Sequence, residues 1–576
     1  MDRIAAAELG SPQTLTEPIG STAHAALGHP GGARRPAAAH DRDAASRTPD
    51  VTDRASDPLV AAKLIGAGTT LSSALIGLEA HRIRVEITCA RGPGFFTMVG
   101  LPEATVREAR VRVKGALSLR GVDINSHGLT INLGPADLRK SGAALDVAIA
   151  IGVLEAVREL PEHAADGVLL LGELSLDGTL QPIRGILPQL ESARAAGVKC
   201  AIVPAANAAE AGLVPTMDVR IARNLAEVVE HLKHQRPLPH APTFKFQPTV
   251  TLDSGLDFSD VRGQGDVRRA LEVAAAGNHN VLLIGPPGGG KTMVARLLPT
   301  VLPPLSFEEA LETTAIHSVA GLVDPERGIV SSRPFRAPHH SVSEAGLVGG
   351  GRVPSPGEVS LAHNGVLFLD ELAEFRRPAL EALRQPLEDG RVYISRAYGR
   401  AWFPARPLFL GAVNPCPCGY HGHPHRDCRC TELARRSYQA RLSGPLLDRL
   451  DVHVNVPPVE VAALVGKAQS ESSATMRERV MQARQVQFDR FRRGEASGPT
   501  NSTLSATELD RIAPLDQEGK RRLEQAITQF GLSARAFVKV RRVARTIADL
   551  EGSKRVRDGH VYAAIQGRLF DRQPVF

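Results

Sequence analysis

The sequence predicts an α/β protein of several domains that ends in a helical, basic region. Three features carry this. The apolar segment Asn280 to Ile284 runs into Gly285-Pro286-Pro287-Gly288-Gly289-Gly290-Lys291-Thr292, and apolar helical spacing follows from Met293 to Leu298. Strand, glycine loop and helix in that order open a parallel α/β sheet. Apolar strands alternate with amphipathic helices from about Thr69 to Lys233, and again from about Asp257 to Val456, the pattern of two α/β blocks. The rest is helical and basic, with six arginines against two acids from Arg477 to Arg493 and eleven Lys or Arg against three acids from Gly519 to Arg557. Such runs are usually solvated helical faces, yet two of them also suit a polyanion.

Composition narrows the class. At ~100–200 residues per domain, 576 residues leave room for three or four domains. The longest apolar run, Ala143 to Leu154, is broken by Asp146, and a bilayer span needs ~20 uninterrupted apolar residues. No membrane helix is expected. Met1-Asp2-Arg3-Ile4-Ala5 lacks the basic-then-apolar order of a secretion signal, so the expected location is the cytoplasm. Six cysteines are too few for a disulfide scaffold, and four of them crowd into fifteen residues, which points to a metal site in a reducing compartment. A net charge of +7 permits a nucleic-acid partner without demanding one.

The elements follow in order. Residues 1–68, rich in Ala, Pro, Gly, Asp and Arg, show no apolar period and read as a disordered extension; a start placed too far upstream is the alternative. Residues 69–235 form the first α/β domain. His81 to Cys89 alternates like a strand, and Pro102 to Arg120 has helical spacing through Val106, Ala109, Val113, Ala116 and Leu117, with Pro in its first turn. Leu129 to Leu133 reads as a strand, Ala143 to Val157 as a helix, and Val168 to Leu180 as a hairpin turning at Asp177-Gly178. A helix (Leu187 to Ala196), a strand (Ala201 to Val203) and a closing helix (Leu225 to Lys233) complete it. Residues 236–256, punctuated by Pro237, Pro239, Pro242 and Pro248, are a linker. Residues 257–460 form the second α/β block, with a four-cysteine loop at 416–430, and 461–576 the helical region.

The second block carries the chemistry. Gly285 to Thr292 fits GxxxxGK[ST], where glycines let backbone N–H groups face phosphates and the helix start adds its dipole. Lys291 would reach the β- and γ-phosphates, and the Thr292 hydroxyl would hold Mg²⁺. Val366-Leu367-Phe368-Leu369-Asp370-Glu371 is an apolar strand ending in two carboxylates: Asp370 would support Mg²⁺, and Glu371 would polarise the attacking water. Leu408 to Val413 ends at Asn414, placed after both motifs to position that water. This set reads as a nucleoside triphosphatase.

With these motifs stand Phe335-Arg336-Ala337-Pro338-His339-His340-Ser341, Gly349-Gly350-Gly351, Pro356-Gly357-Glu358-Val359-Ser360-Leu361-Ala362-His363-Asn364-Gly365 and Asn414-Pro415-Cys416-Pro417-Cys418-Gly419. Over roughly 69–576 the chain resembles the ComM/YifB family of magnesium-chelatase-like AAA+ ATPases. The resemblance implies a Lon-protease-like α/β domain, an AAA+ P-loop NTPase core with a parallel sheet, and a C-terminal helical lid. It also implies a hexameric ring motor using ATP and Mg²⁺, which in the competence branch drives DNA branch migration during recombination of incoming strands. In Ser443-Gly444-Pro445-Leu446-Leu447-Asp448-Arg449-Leu450-Asp451, Arg449 matches the arginine finger offered to a neighbour's γ-phosphate. Arg441 is the next candidate. In Gly531-Leu532-Ser533-Ala534-Arg535-Ala536, Arg535 matches the second sensor, with Arg542 its competitor.

Leu138 to Ile151 and Gly172 to Gly197 resemble the Lon proteolytic domain, whose cleavage needs a serine and an activating lysine. Aligned on its loops, Ala144 stands at the serine and Leu187 at the lysine, while Ser141 is three residues early. The domain is expected to bind or assemble, not to cleave. Cys416, Cys418, Cys428 and Cys430 could satisfy tetrahedral Zn²⁺, with His421, His423 and His425 as substitute ligands or plain loop residues, and incidental cysteines as the alternative.

Arg391 to Arg406 reads as two short strands around Ala397 to Arg400, carrying Arg396, Arg400 and the only tryptophan, Trp402. Arginines beside aromatics suit sequence-blind strand contact; a structural hairpin is the alternative. Pro334 to Gly351 is a second candidate pore loop. The expected function is an ATP-hydrolysing motor on branched or single-stranded DNA, a translocase or helicase acting with recombination proteins. The alternative is a chelatase motor subunit driving metal insertion with a partner. Chelatase motors as the resemblance presents them lack the Lon-like domain and the four-cysteine loop.

Overall fold

The computed structural model describes residues 64–568, apart from 141, 143, 251–254, 256, 397–398 and 459–469. The extension read into 1–68 therefore falls outside the described residues as far as 63. Residues 64–68 do not belong to it: they open strand β1 (Leu64–Ile76). Sequence patterning missed this strand because LIGAGTT is small and glycine-rich where it lies on the helix Asp146–Ala156. A Cβ on Gly66 would stand 2.6 Å from Ala156 O, and one on Gly68 2.2 Å from Gly152 O.

The first domain is a seven-stranded sheet in the order β3-β4-β2-β1-β5-β8-β9. Its other strands are β2 (Glu79–Arg91), β3 (Phe95–Val99), β4 (His127–Gly134), β5 (Val168–Leu170), β8 (Cys200–Pro204) and β9 (Asp218–Ala222). β1 and β2 run antiparallel as a long hairpin, and β5, β8 and β9 extend the sheet in parallel. The helix Ala104–Leu119 buries Val106, Ala109, Val113, Ala116 and Leu117, the face its spacing predicts, and Pro102 lies just ahead of it. The hairpin expected from Val168 to Leu180 is only partly formed. β5 joins the main sheet, and the turn at Asp177-Gly178 links a two-residue pair, β6 (Glu173–Leu174) and β7 (Leu180–Gln181).

The segment expected as a linker packs against the blocks it joins. Ala241 N donates to Val219 O at 2.8 Å along the edge of β9, and the Phe246 and Phe307 rings lie 5.5 Å apart. Leu305 and Ala310 of the second block share one apolar core with Ile186, Leu187, Leu190 and Val203 of the first. The two α/β blocks are one packed body.

The second block is centred on a parallel sheet in the order β11-β14-β17-β10-β18. Its strands are β10 (Val281–Ile284), β11 (Phe335–Arg336), β14 (Val366–Leu369), β17 (Leu408–Val413) and β18 (Val452–Asn455). The apolar residues of β10, β14 and β17, the three central strands, are buried throughout, as parallel sheets require. Two antiparallel pairs stand apart: β12 (Gly349–Gly350) with β13 (Ser355–Pro356), and β15 (Arg391–Arg396) with β16 (Gly399–Pro404). The C-terminal helices Ser473–Arg492, Gln517–Phe530 and Ala534–Leu550 form a lid whose core is continuous with that of helix Gly265–Gly277.

The lid also accounts for part of the basic runs. Arg477, Arg484 and Arg542 donate to the backbone carbonyls of Thr300, Ala275 and Leu504. Arg490 pairs with Asp549, Arg541 with Asp510, and Lys539 with Asp451. Arg477, Arg484 and Lys539 hold lid to core and the other three contacts lie within the lid, while Arg492, Lys520, Arg521, Lys554, Arg555 and Arg557 are exposed. Among the described residues no helix is long and apolar enough to cross a membrane.

Candidate nucleotide site and four-cysteine loop

β10 delivers the glycine loop. A Cβ on Gly285 would lie 2.1 Å from Val456 O, so only glycine lets the chain leave the strand here. Gly288 and Gly290 have φ of 78° and 84°, the left-handed region, and nothing stands within 4 Å of a Cβ on Gly288. The loop is an open cradle. Lys291 and Thr292 begin the helix Lys291–Val301. Lys291 Nζ donates to Gly285 O (2.7 Å), Pro286 O (2.9 Å) and Asn414 Oδ1 (3.0 Å). Burial pulls its pKa down, while Asp370 and Glu371 pull it up. Gln264 Nε2 braces the loop from outside through Gly289 O at 2.6 Å.

β14 lies two strands from β10, with β17 between them. Thr292 Oγ1 donates to Asp370 Oδ2 at 2.6 Å. A hydroxyl and a carboxylate oxygen converging at the end of an open phosphate cradle are hard donors of the kind Mg²⁺ takes alongside phosphates. The residues fit the nucleotide and the metal. Glu371 is exposed with φ of 51°, and its carboxylate lies 3.7 Å from His340 Nδ1. Lys291, Thr292, Asp370, Glu371 and Asn414, drawn from three strand ends, are thus brought together.

The two arginines are elsewhere. Arg449 donates through Nε to Arg384 O (2.8 Å) and through Nη1 to Pro445 O (2.7 Å), and pairs through Nη2 with Glu388. Arg535, at the start of the lid helix Ala534–Leu550, lies 3.4 Å from the other oxygen of Glu388. Among the described residues neither bonds to the glycine loop, Asp370 or Glu371. Arg542, the competitor, is turned inward to Leu504 O at 2.7 Å. Arg441 pairs with Glu374 at 2.8 Å.

The four cysteine sulfurs lie within 4.8 Å of one another. Cys416 Sγ is 3.4 Å from Cys418 Sγ and 3.6 Å from Cys428 Sγ. Tetrahedral thiolates ~2.3 Å from a zinc ion stand ~3.8 Å apart, so the spacing suits a metal. Burial pushes the Cys416 thiol up to about 12; at Cys418 burial is outweighed by the backbone N–H groups of Tyr420 and Arg429, and the thiol falls to about 6. His421, His423 and His425 are not part of the cluster; His421 faces Arg435 instead. Gly419, inside this loop, packs on the glycine loop, because a Cβ there would stand 2.4 Å from Pro287 Cδ.

The β15–β16 hairpin pairs Tyr393 with Trp402 and Ser395 with Arg400 across one face. The Arg391 guanidinium lies 4.7 Å over the Trp402 ring, and Trp402 Nε1 donates to Glu79 Oε1 at 3.1 Å. Tyr393, Arg396 and Arg400 are exposed; residues 397–398 at the turn lie outside the described residues. The segment 334–351 is less loop-like than its composition suggested, since it contains β11, the helix Glu344–Val348 and β12. In the first domain, Ala144 and Leu187 belong to the same apolar core, so nothing at those positions could cleave a peptide. Ser141 lies outside the described residues.

Sequence reasoning missed Gln264, His340 and Glu388. Gln264, flanked by Gly263 and Gly265, and His340, in the quoted Phe335–Ser341 stretch, carried a weak local signal; Glu388 had none.

Family models cover most of the described chain: "Magnesium chelatase, subunit ChlI" over residues 257–464, "Subunit ChlI of Mg-chelatase" over 85–207, and "Magnesium chelatase, subunit ChlI C-terminal" over 470–568. The chain is 42% identical to the uncharacterized protein YifB of Salmonella typhimurium over 502 residues, covering 87% of this chain and 96% of that one. It is 40% identical to the competence protein ComM of Haemophilus influenzae over 506 residues, covering 87% and 97%. It is also 34% identical to Lon protease 2 of Bacillus subtilis over 196 residues, covering 32% and 33%. With this similarity along nearly the whole length of its relatives, the chain belongs to the ComM/YifB family of magnesium-chelatase-like AAA+ ATPases.

Proposed function

We propose that this protein is an ATP-driven ring motor acting on DNA, with branch migration or strand unwinding in recombination during natural transformation as its task. The observation that carries the reading is the β15–β16 hairpin, whose exposed Tyr393, Arg396 and Arg400 surround the Arg391–Trp402 stack. Stacking and phosphate pairing of that kind take a strand without reading its sequence. The similarity to a competence protein supports the same reading.

At the nucleotide site Lys291 binds the phosphates, Thr292 and Asp370 would hold Mg²⁺, Glu371 activates water and Asn414 orients it. The metal supplies charge neutralisation on the phosphates. Arg449 serves the nucleotide of a neighbour in a homo-hexamer, and Arg535 acts as the second sensor. Zn²⁺ in the four-cysteine loop is structural, and the place of work is the cytoplasm.

The test is ATPase rate with and without forked or four-way DNA. Stimulation by DNA is expected. A second reading, the motor subunit of a metal chelatase, is favoured by the names of all three matching family models. The model over 85–207 bears the chelatase name too, so the first domain does not separate the two readings. Stimulation by a porphyrin-processing partner and not by DNA would establish that second reading.

A further inference from the structure

Two arginines expected at separate tasks converge on one carboxylate. Glu388 sits in the last turn of the helix Arg384–Asp389, half exposed. One of its oxygens takes Arg449 and the other takes Arg535. Every nitrogen of Arg449 already has a protein acceptor, and its side chain is only 13% exposed. A guanidinium fork binds carboxylate and phosphate with the same donors. Nucleotide phosphate must therefore compete with Glu388 for each arginine.

The helix that carries Glu388 also supplies Arg384 O to Arg449, so it provides two of the three acceptors. Only Asp389 and Gly390 separate Glu388 from β15, where the strand-facing hairpin begins. Gly390 makes that joint with φ of 66°, close against the Arg406 stem, where a Cβ would stand 2.9 Å from Cγ. There is little slack between clasp and hairpin.

We propose that Glu388 withholds Arg449 from the neighbouring chain's nucleotide, and Arg535 from its place as second sensor, until a nucleic-acid strand on the β15–β16 hairpin draws the helix Arg384–Asp389 away. The proposal rests on the reading above, in which Arg449 acts across an interface, Arg535 is the second sensor and the hairpin meets DNA. Glu388 is a positioning residue: it touches neither nucleotide nor metal.

The variant Glu388→Gln keeps shape and removes the charge. Two readouts test it on the full chain. In the first, assembly is followed by sedimentation against the concentration of a non-hydrolysable ATP analogue with Mg²⁺. Glu388→Gln is expected to assemble at roughly three- to fivefold lower analogue than wild type, the scale of one partly exposed ion pair. Placing Glu388→Gln in an Arg449→Ala, Arg535→Ala background should erase the gain. In the second, ATPase without DNA should rise by a similar factor, while forked DNA stimulates the variant proportionately less. An assembly threshold at or above that of wild type overturns the proposal. Glu388→Asp, one methylene shorter, should fall between the two, and its threshold decides the matter if Glu388→Gln does not fold. Wild-type protein that hydrolyses no ATP under any condition marks failure of the motor reading instead, and the assembly readout still decides the clasp.

Discussion

Lys291 and Glu371 stand in one site, yet their loss should be felt at different steps. In the role proposed for it Lys291 meets the ground-state phosphates, so Lys291→Ala should weaken ATP binding by roughly tenfold or more, given that a charged hydrogen bond contributes ~1.5–3 kcal/mol. Glu371 is exposed, its backbone in the left-handed region, and among the described residues its carboxylate makes no hydrogen bond to the glycine loop. Glu371→Gln should therefore bind ATP as wild type does and hydrolyse it ~10²–10⁴-fold more slowly, the usual share of a general base. Nucleotide titration beside single-turnover hydrolysis separates the two, and equal loss of affinity in both variants would refute the assignment. These residues were legible in the sequence because each lies in a motif that follows an apolar strand, in a spacing that serves few other purposes. Glu388 was not, because its partner Arg535 lies 147 residues away and nothing local marks either as half of a pair.

At the scale of elements, the four-cysteine loop is the piece most open to direct measurement. Its sulfurs are already gathered at metal spacing, and through Gly419 it braces the glycine loop at Pro287. Protein purified without added metal should carry one zinc per chain by elemental analysis. Replacing Cys416 and Cys428 together should remove the metal and lower the melting temperature, because metal held only by the folded loop stabilises the fold. The same loss should weaken nucleotide binding through Pro287. Metal-free wild-type protein, no less stable after the double replacement, would end the zinc assignment. The cysteines were visible as a spacing, but their packing against Pro287 was not, since one glycine among many carries no sign of its neighbour. β1 was hidden for a related reason: its glycines meet helix backbone, which erases the alternation by which a strand is read. Within the basic runs, Arg477, Arg484, Arg490 and Arg541 meet carbonyls and carboxylates inside the lid and core, partners that a count of charges along the chain does not show.

At the scale of the whole molecule, the sequence showed two α/β blocks and a proline-rich joint but not that the blocks share a core. One buried carboxyl marks the seam. Glu210, in the short helix Ala208–Ala211 of the first domain, accepts from Leu187 N at 2.9 Å and from the Ser318 hydroxyl of the second block's helix Phe307–Ala320. Burial raises its pKa from 4.5 to about 7, outweighing those two donors. Between these pH values the unfolded carboxyl has lost its proton while the folded one keeps it, so stability falls as pH rises and levels off above 7. At ~1.4 kcal/mol per pH unit the full effect reaches about 3 kcal/mol. Glu210→Gln retains the acceptor oxygen and cannot ionise. It should match wild type near pH 5 and exceed it by about 1–3 kcal/mol at pH 8, read from urea unfolding at both pH values. Because the carboxyl bridges the two blocks, the gain should appear in the transition that separates the first domain from the core. Identical pH slopes in the two proteins would show that Glu210 stays charged at the seam and that other groups set the alkaline limit.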